Sequence, residues 1–197
     1  MEVGLIVLAG GKSSRMGKDK AFLQFSNGTM PEIIVKKAKE YGFKEILLVT
    51  NTKERVVLED ATIIEDYYKG MGPLAGIHAG LINSFFEFNF VIPCDMPFIS
   101  FNLVEEMLPL TEKCQKVVPK MGTKYQPLAA IYSKKCLSQI EFLLENNITK
   151  VIELYSLVNT CFFTTDFNES IFFNINTPED FNKAKEYQEG GIELWRR

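Results

Sequence analysis

Apolar positions in this chain fall into short runs separated by segments with helical spacing. Val3–Leu8, Glu45–Thr50, Thr62–Ile64 and Phe88–Ile92 have the length and apolar character of buried strands. Between them, Pro31–Tyr41 opens with a proline tolerated in a first helical turn, and Ile34, Ala38 and Tyr41 recur at helical spacing. A second helix is expected over Pro73–Phe85, and a third over Leu103–Leu108, capped by Asn102 with Leu103, Met107 and Leu108 facing inward. Further strands are expected near Lys116–Val118, Leu128–Tyr132 and Thr160–Thr165. Helices are expected at Lys134–Glu145, Thr149–Tyr155 and Pro178–Gln188. This alternation predicts an α/β fold: a three-layer sandwich whose mostly parallel sheet is covered on both faces and binds ligands beyond its strand carboxyl ends. No repeat, low-complexity segment or linker interrupts it, so residues 1–197 read as a single domain.

The first of those carboxyl ends carries the strongest chemical signal. After Val3–Leu8 the chain continues Ala9-Gly10-Gly11, where paired glycines let the backbone turn and approach a ligand without Cβ interference. Successive amides in such a turn form a concave site for anionic oxygens. Lys12, Arg15, Lys18 and Lys20 follow, with Asp19 the one acid among them. The Walker A pattern fails because Asp19 stands where a Ser or Thr must follow Lys18, and the dinucleotide pattern fails on glycine spacing. What remains is a strand feeding an electropositive glycine loop, the arrangement of a nucleotide-handling protein.

Charge and composition narrow the class. The net charge is −3 and 46% of residues are hydrophobic, which fits a globular protein and excludes a nucleic-acid binder relying on a basic surface. No apolar run reaches membrane-spanning length and the first has no cationic lead, so a cytoplasmic protein with no membrane partner is expected. Cys94, Cys114, Cys136 and Cys161 are dispersed, form no CxxC, and have only His78 as a further soft ligand. They read as reduced thiols rather than a zinc site or a disulfide framework. His78, alone on its helix, reads as a structural histidine.

Asp95 falls just past the strand core Phe90–Ile92, between Pro93 and Pro97. A carboxylate there either caps the following turn or holds a hard cation together with substrate phosphates. Gly70, Gly72 and Gly76 around Pro73 serve either a tight turn and close helix packing or the approach of backbone to a nucleoside. Asn176 or Thr177 is placed to cap the helix that Pro178 begins. Lys150 is placed either on a solvated face or where it would neutralise a substrate phosphate.

These residues together resemble a known family. Leu8–Ala21 (LAGGKSSRMGKDKA), Glu65-Asp66 with Gly72–Ile77 (GPLAGI), Pro93–Phe98 (PCDMPF), Gln126–Ala129 (QPLA) and Asn174–Asp180 (NINTPED) are similar, in order, to segments of the molybdenum cofactor guanylyltransferases. The resemblance implies the nucleotide-diphospho-sugar transferase (Rossmann-like) fold, with one antiparallel strand in its sheet. It implies transfer of GMP from GTP to molybdopterin with release of pyrophosphate. It also implies Mg2+ on Asp95; Arg15, Lys20 and Asp95 as catalytic residues; and Leu8, Ala9, Gly10, Gly11, Lys20, Thr50, Asp66 and Asp95 in contact with GTP. Asn174 and Asn176 are its candidates for molybdopterin, and receiving molybdoenzymes or other cofactor-biosynthesis proteins are the protein partners it suggests. The chain departs from the family pattern at Asn27-Gly28-Thr29-Met30, where a lysine-containing G-K-P-L is usual. Two other readings stay open: a relative using CTP or another phosphorylated acceptor, and a non-catalytic nucleotide-binding regulatory module. LAGG favours the guanylyl branch, since cytidylyl relatives tend to carry AAG.

Overall fold

In a computed structural model that describes residues 2–10, 24–25, 28–52 and 58–189, one mixed sheet organises the chain from Gly4 to Thr164. Its strands are β1 (Gly4–Leu8), β4 (Ile46–Val49), β5 (Thr62–Ile64), β6 (Phe88–Pro93), β7 (Lys116–Met121), β8 (Lys124–Tyr125), β9 (Ala130–Ser133) and β10 (Thr160–Thr164). They run in the order β10-β7-β9-β6-β1-β4-β5, with β8 paired to β7. A separate two-stranded ribbon joins β2 (Gln24–Phe25) to β3 (Gly28–Thr29).

β5, β4, β1 and β6 are mutually parallel, and β10 is parallel to β7. β9 lies between β6 and β7 and is antiparallel to both. A parallel pair needs a crossover of a dozen or more residues. The short link from Met121 to Ala130 leaves no room for one, so β9 must return beside β7. The sheet therefore contains the antiparallel strand that the family resemblance implied, together with the two-residue β8 hairpin.

Helices cover both faces. α1 (Met30–Tyr41) and α3 (Asn102–Met107) lie on one side, over a core that includes Leu5, Val7, Ile34, Leu48, Phe90 and Ile92. α2 (Gly72–Asn83) and α4 (Leu137–Glu145) lie on the other, over Ile6, Leu8, Leu47, Leu74, Ile77 and Val91. Alternation along β1 sends Leu5 and Val7 to one layer and Ile6 and Leu8 to the other, as a strand buried on both faces requires. α5 (Pro178–Glu189) closes a smaller cluster of Met30, Phe98, Ile175 and Ala184.

Local chemistry accounts for the helix ends. Thr29 precedes α1, and its N–H donates to the Glu32 carboxylate at 2.6 Å. Gly42 ends the helix at φ 103° with its N–H on Ala38 and Lys39 carbonyls. Asn102 is the first residue of α3 rather than its cap, which is Phe101. The segment expected as one helix from Lys134 begins as a 3-10 turn and becomes α-helical at Leu137. Thr149–Tyr155 gives a 3-10 turn over Val151–Ser156.

The reading of four reduced thiols needs correction. Cys114, just before β7, and Cys161, on the neighbouring edge strand β10, are bonded as a disulfide with Cα atoms 5.8 Å apart. The contact joins positions 47 residues apart and depends on the pairing of β10 with β7, so no local motif announces it. Cys94 and Cys136 are buried and take no part in a disulfide, as expected.

Candidate active site

Backbone hydrogen bonds continue past the last strand pairs and align four carboxyl ends. The Cys94 N–H donates to the Leu8 carbonyl at 2.9 Å, the Ala9 N–H to Val49 at 2.8 Å, and the Thr50 N–H to Ile64 at 2.9 Å. Asp95, Gly10, Asn51 and Asp66 consequently leave the sheet along one rim. Gly10 is exposed, with no atom within 4 Å of where a Cβ would stand. The glycine loop therefore departs from the strand next to the one that delivers Asp95. Gly11, Lys12, Arg15, Lys18 and Lys20 lie outside the described residues. Because the Ala9 amide is bonded within the sheet, the first loop amide that could serve a ligand is that of Gly10.

Asp95 is half-buried. The turn that carries it has the Met96 N–H on Pro93 at 3.4 Å and the Ile99 N–H on Met96 at 3.2 Å. α3 starts only at Asn102, so Asp95 is a rim residue and not that helix's cap. From the C-terminal side, the Ile175 N–H donates to the Asp95 carbonyl at 2.9 Å, bringing the Asn174–Asn176 strap to the same end of the sheet. From the opposite side, Lys37 on α1 donates through Nζ to the carbonyls of Pro97 (3.1 Å) and Ile99 (3.0 Å).

Where β4 and β5 end, the Asn51 amide donates to Asp66 Oδ2 at 2.9 Å. Burial pushes the Asp66 carboxyl above the usual carboxylate range, and the Asn51 donor offsets part of that rise. Thr50 is buried and its hydroxyl sits 3.1 Å from that of Thr52, so Asn51 is the residue that presents a polar side chain there. Gly70 and Gly72 take left-handed φ values of 79° and 71° in the turn leading into α2, conformations open to glycine at no steric cost. Gly76 allows close approach: a Cβ on it would lie 3.0 Å from Leu8 Cδ2 and 3.6 Å from Asp66 Oδ1. The turn and packing roles of these glycines are thus realised beside the carboxylate.

Asn174 and Asn176 flank the strap. The Asn174 amide donates to the Phe172 carbonyl at 3.2 Å, and Asn174 lines a cavity of about 420 Å³ with Met121, Lys124, Gln126, Glu169 and Phe173. Thr177 caps α5: its Oγ1 accepts from the Asp180 N–H at 3.1 Å while Asp180 Oδ2 accepts from the Asn176 and Thr177 amides. Nothing in the sequence singles out Lys124 or Lys37, and Gln126 enters only as the first residue of the QPLA segment. A lysine on an amphipathic helix reads as solvated, and the β8 hairpin is too short for a periodic signal. His78 is buried, with Nε2 3.2 Å from Glu141 Oε1, a structural contact between α2 and α4. Lys150 is exposed.

Among the described residues no group of three or more His, Cys, Asp or Glu side chains forms a metal cage. A half-buried carboxylate at a strand end, beside the strand end from which Gly10 leaves, suits Mg2+, which keeps its waters and is shared between one or two carboxylates and substrate phosphates. Among the same residues no helix is long and apolar enough to cross a membrane.

Comparison with known proteins agrees with this layout. The MobA-like NTP transferase domain model matches residues 5–159. A protein of Pelotomaculum thermopropionicum named probable molybdenum cofactor guanylyltransferase is 36% identical, covering 91% of this chain and 90% of its own length. The molybdenum cofactor guanylyltransferase of Vibrio campbellii is 32% identical over 89% of this chain and 91% of its own. The crystal structure of molybdopterin-guanine dinucleotide biosynthesis protein A from Archaeoglobus fulgidus superposes with a TM-score of 0.82 at 26% identity, covering 95% of this chain and 100% of that one. The chain therefore belongs to the MobA-like nucleotidyltransferases, in the molybdenum cofactor guanylyltransferase family.

Proposed function

We propose that the protein transfers GMP from GTP to molybdopterin, forming the guanine dinucleotide of the cofactor and releasing pyrophosphate. The observation that carries this reading is the Leu8 carbonyl to Cys94 amide bond, which sets Gly10 and Asp95 at the ends of adjacent strands. An oxygen of the molybdopterin phosphate monoester, already anionic at neutral pH, attacks the α-phosphorus of GTP. The bond to the bridging oxygen breaks and pyrophosphate leaves with the negative charge. No general base is needed, so the protein's tasks are alignment and charge neutralisation.

Each task has a residue. Amides from Gly10 onward, with Arg15 and Lys20, hold the β- and γ-phosphates that depart. Asp66, accepting from Asn51 on one oxygen, offers the other to the N1–H and 2-amino donors of guanine. Cytosine presents a different donor pattern, so Asp66 favours GTP. The pterin side of the acceptor fits the cavity beside Asn174, between Met121 and Phe173, with Gln126 and Asn174 as polar contacts. Asp95 would hold Mg2+, which supplies Lewis-acid polarisation of the α-phosphate and a template for the incoming oxygen. The test is release of pyrophosphate from GTP and molybdopterin by the purified protein, with CTP and UTP as competing donors.

A further inference from the structure

We propose that Lys37 is a positioning residue for the Asp95 carboxylate, fixing from α1 the turn that carries it. The inference rests on the reading of Asp95 as the metal carboxylate. Of the lysines on α1, Lys36 and Lys39 are exposed, whereas Lys37 is folded inward with its Nζ on two carbonyls, those of Pro97 and Ile99. The turn needs an outside hold. Its own bonds, at 3.4 Å and 3.2 Å, lie at or beyond the long end of the N–H···O range. Shorter contacts come from its flanks: Ile175 on the Asp95 carbonyl, and Lys37 on carbonyls two and four residues further on.

The amine is desolvated enough that burial lowers its pKa to about 8, and it donates to a carbonyl in either protonation state. α1 also begins directly after the β2–β3 ribbon, which follows the cation-bearing segment in the sequence. One helix therefore touches the turn bearing the acid and follows the loop bearing the cations. Groups that orient a metal carboxylate from outside its contact shell typically change metal affinity by 10–100-fold when removed.

The experiment pairs Lys37→Met, which keeps the stem and removes the donor, with Lys37→Arg, which keeps donors. Amide hydrogen exchange is measured on the nucleotide-free proteins, followed by the Mg2+ concentration needed for half-maximal GTP binding. Lys37→Met is expected to speed exchange at Ile99 and Ile175 and to raise the Mg2+ midpoint about 10-fold or more. GTP affinity at saturating Mg2+ should stay near wild type, and Lys37→Arg should recover part of both losses. Unchanged exchange overturns the proposal, as does faster exchange with an unchanged Mg2+ midpoint. Should Lys37→Met fail to fold, Lys37→Arg decides alone: wild-type exchange and midpoint support the donor role, and loss of both with a normal melting temperature contradicts it. If the wild-type protein binds no Mg2+-GTP, the functional reading fails, while the exchange data still judge the strut.

Discussion

The Ile175 amide donates to the carbonyl oxygen of Asp95 at 2.9 Å, so a C-terminal strap and the acid at the end of β6 are held as one unit. Asn174 and Asn176 flank the donor, and the cavity beside Asn174 opens toward the β7–β8 hairpin. The bond gives the proposed acceptor site and the proposed metal site a shared backbone reference, far apart as they are in sequence.

Asp95→Ala is expected to lower turnover by about 10²-fold or more, on the order of 3–4 kcal/mol of transition-state stabilisation, with the fold retained. Steady-state kinetics beside a thermal melt checks this, and near-normal turnover by the folded variant contradicts it. Lys20→Ala is expected to raise the KM for GTP and lower kcat together, since its charge serves the leaving phosphates. Unchanged kinetics remove Lys20 from the site.

Two glycines of α2 should separate stability from function. A Cβ at Gly80 would meet Ile6 atoms at 2.5–2.9 Å in the fully buried core. Overpacking there should cost about 1–3 kcal/mol, less up to about 1 kcal/mol regained from helix propensity. Gly80→Ala should therefore lower the urea midpoint while leaving GTP affinity near wild type. Gly76→Ala, crowding Leu8 and Asp66 beside the rim, should weaken GTP binding with the smaller effect on stability. A reversed pattern would place the nucleoside elsewhere.

Lys116 supplies a pH dependence of stability. Its side chain is fully buried, with Nζ 4.2 Å and 4.7 Å from the ring centroids of Tyr155 and Tyr132, and burial lowers its pKa from 10.5 to about 7. Between those values the unfolded chain binds the proton that the folded protein has released, so this residue makes stability rise as pH increases from about 7 to 10.5. Below pH 7 the folded protein bears the full cost of a buried charge, partly offset by the two rings. Lys116→Met should stabilise the protein at pH 6 by about 1–3 kcal/mol and by less at pH 9. Urea unfolding at both pH values measures this, and an equal effect at both contradicts it.

Much of this architecture is legible in the sequence. Thr62–Ile64 is strand as expected, and the strands through Val3–Leu8 and Phe88–Ile92 and the helices from Pro31 and Pro178 differ from expectation by one residue at an end. Periodicity is a local property and these elements are locally determined. It does not report strand direction, so family resemblance implies an antiparallel strand without saying which; the short Met121–Ala130 link makes it β9. The site divides the same way. Asp95, Asp66 and Gly10 are strand-end residues whose placement follows from the sheet. Asn51 as the partner of Asp66, Lys37 on the Pro97 and Ile99 carbonyls, and the Cys114–Cys161 bond join residues distant in sequence with no motif between them.

The most direct test is pyrophosphate release from GTP by the purified protein with molybdopterin, compared with CTP and UTP, with Mg2+ and again in excess chelator. The account predicts release that requires molybdopterin, favours GTP and stops on chelation. Equal release from CTP, release independent of molybdopterin, or full activity in chelator would contradict it.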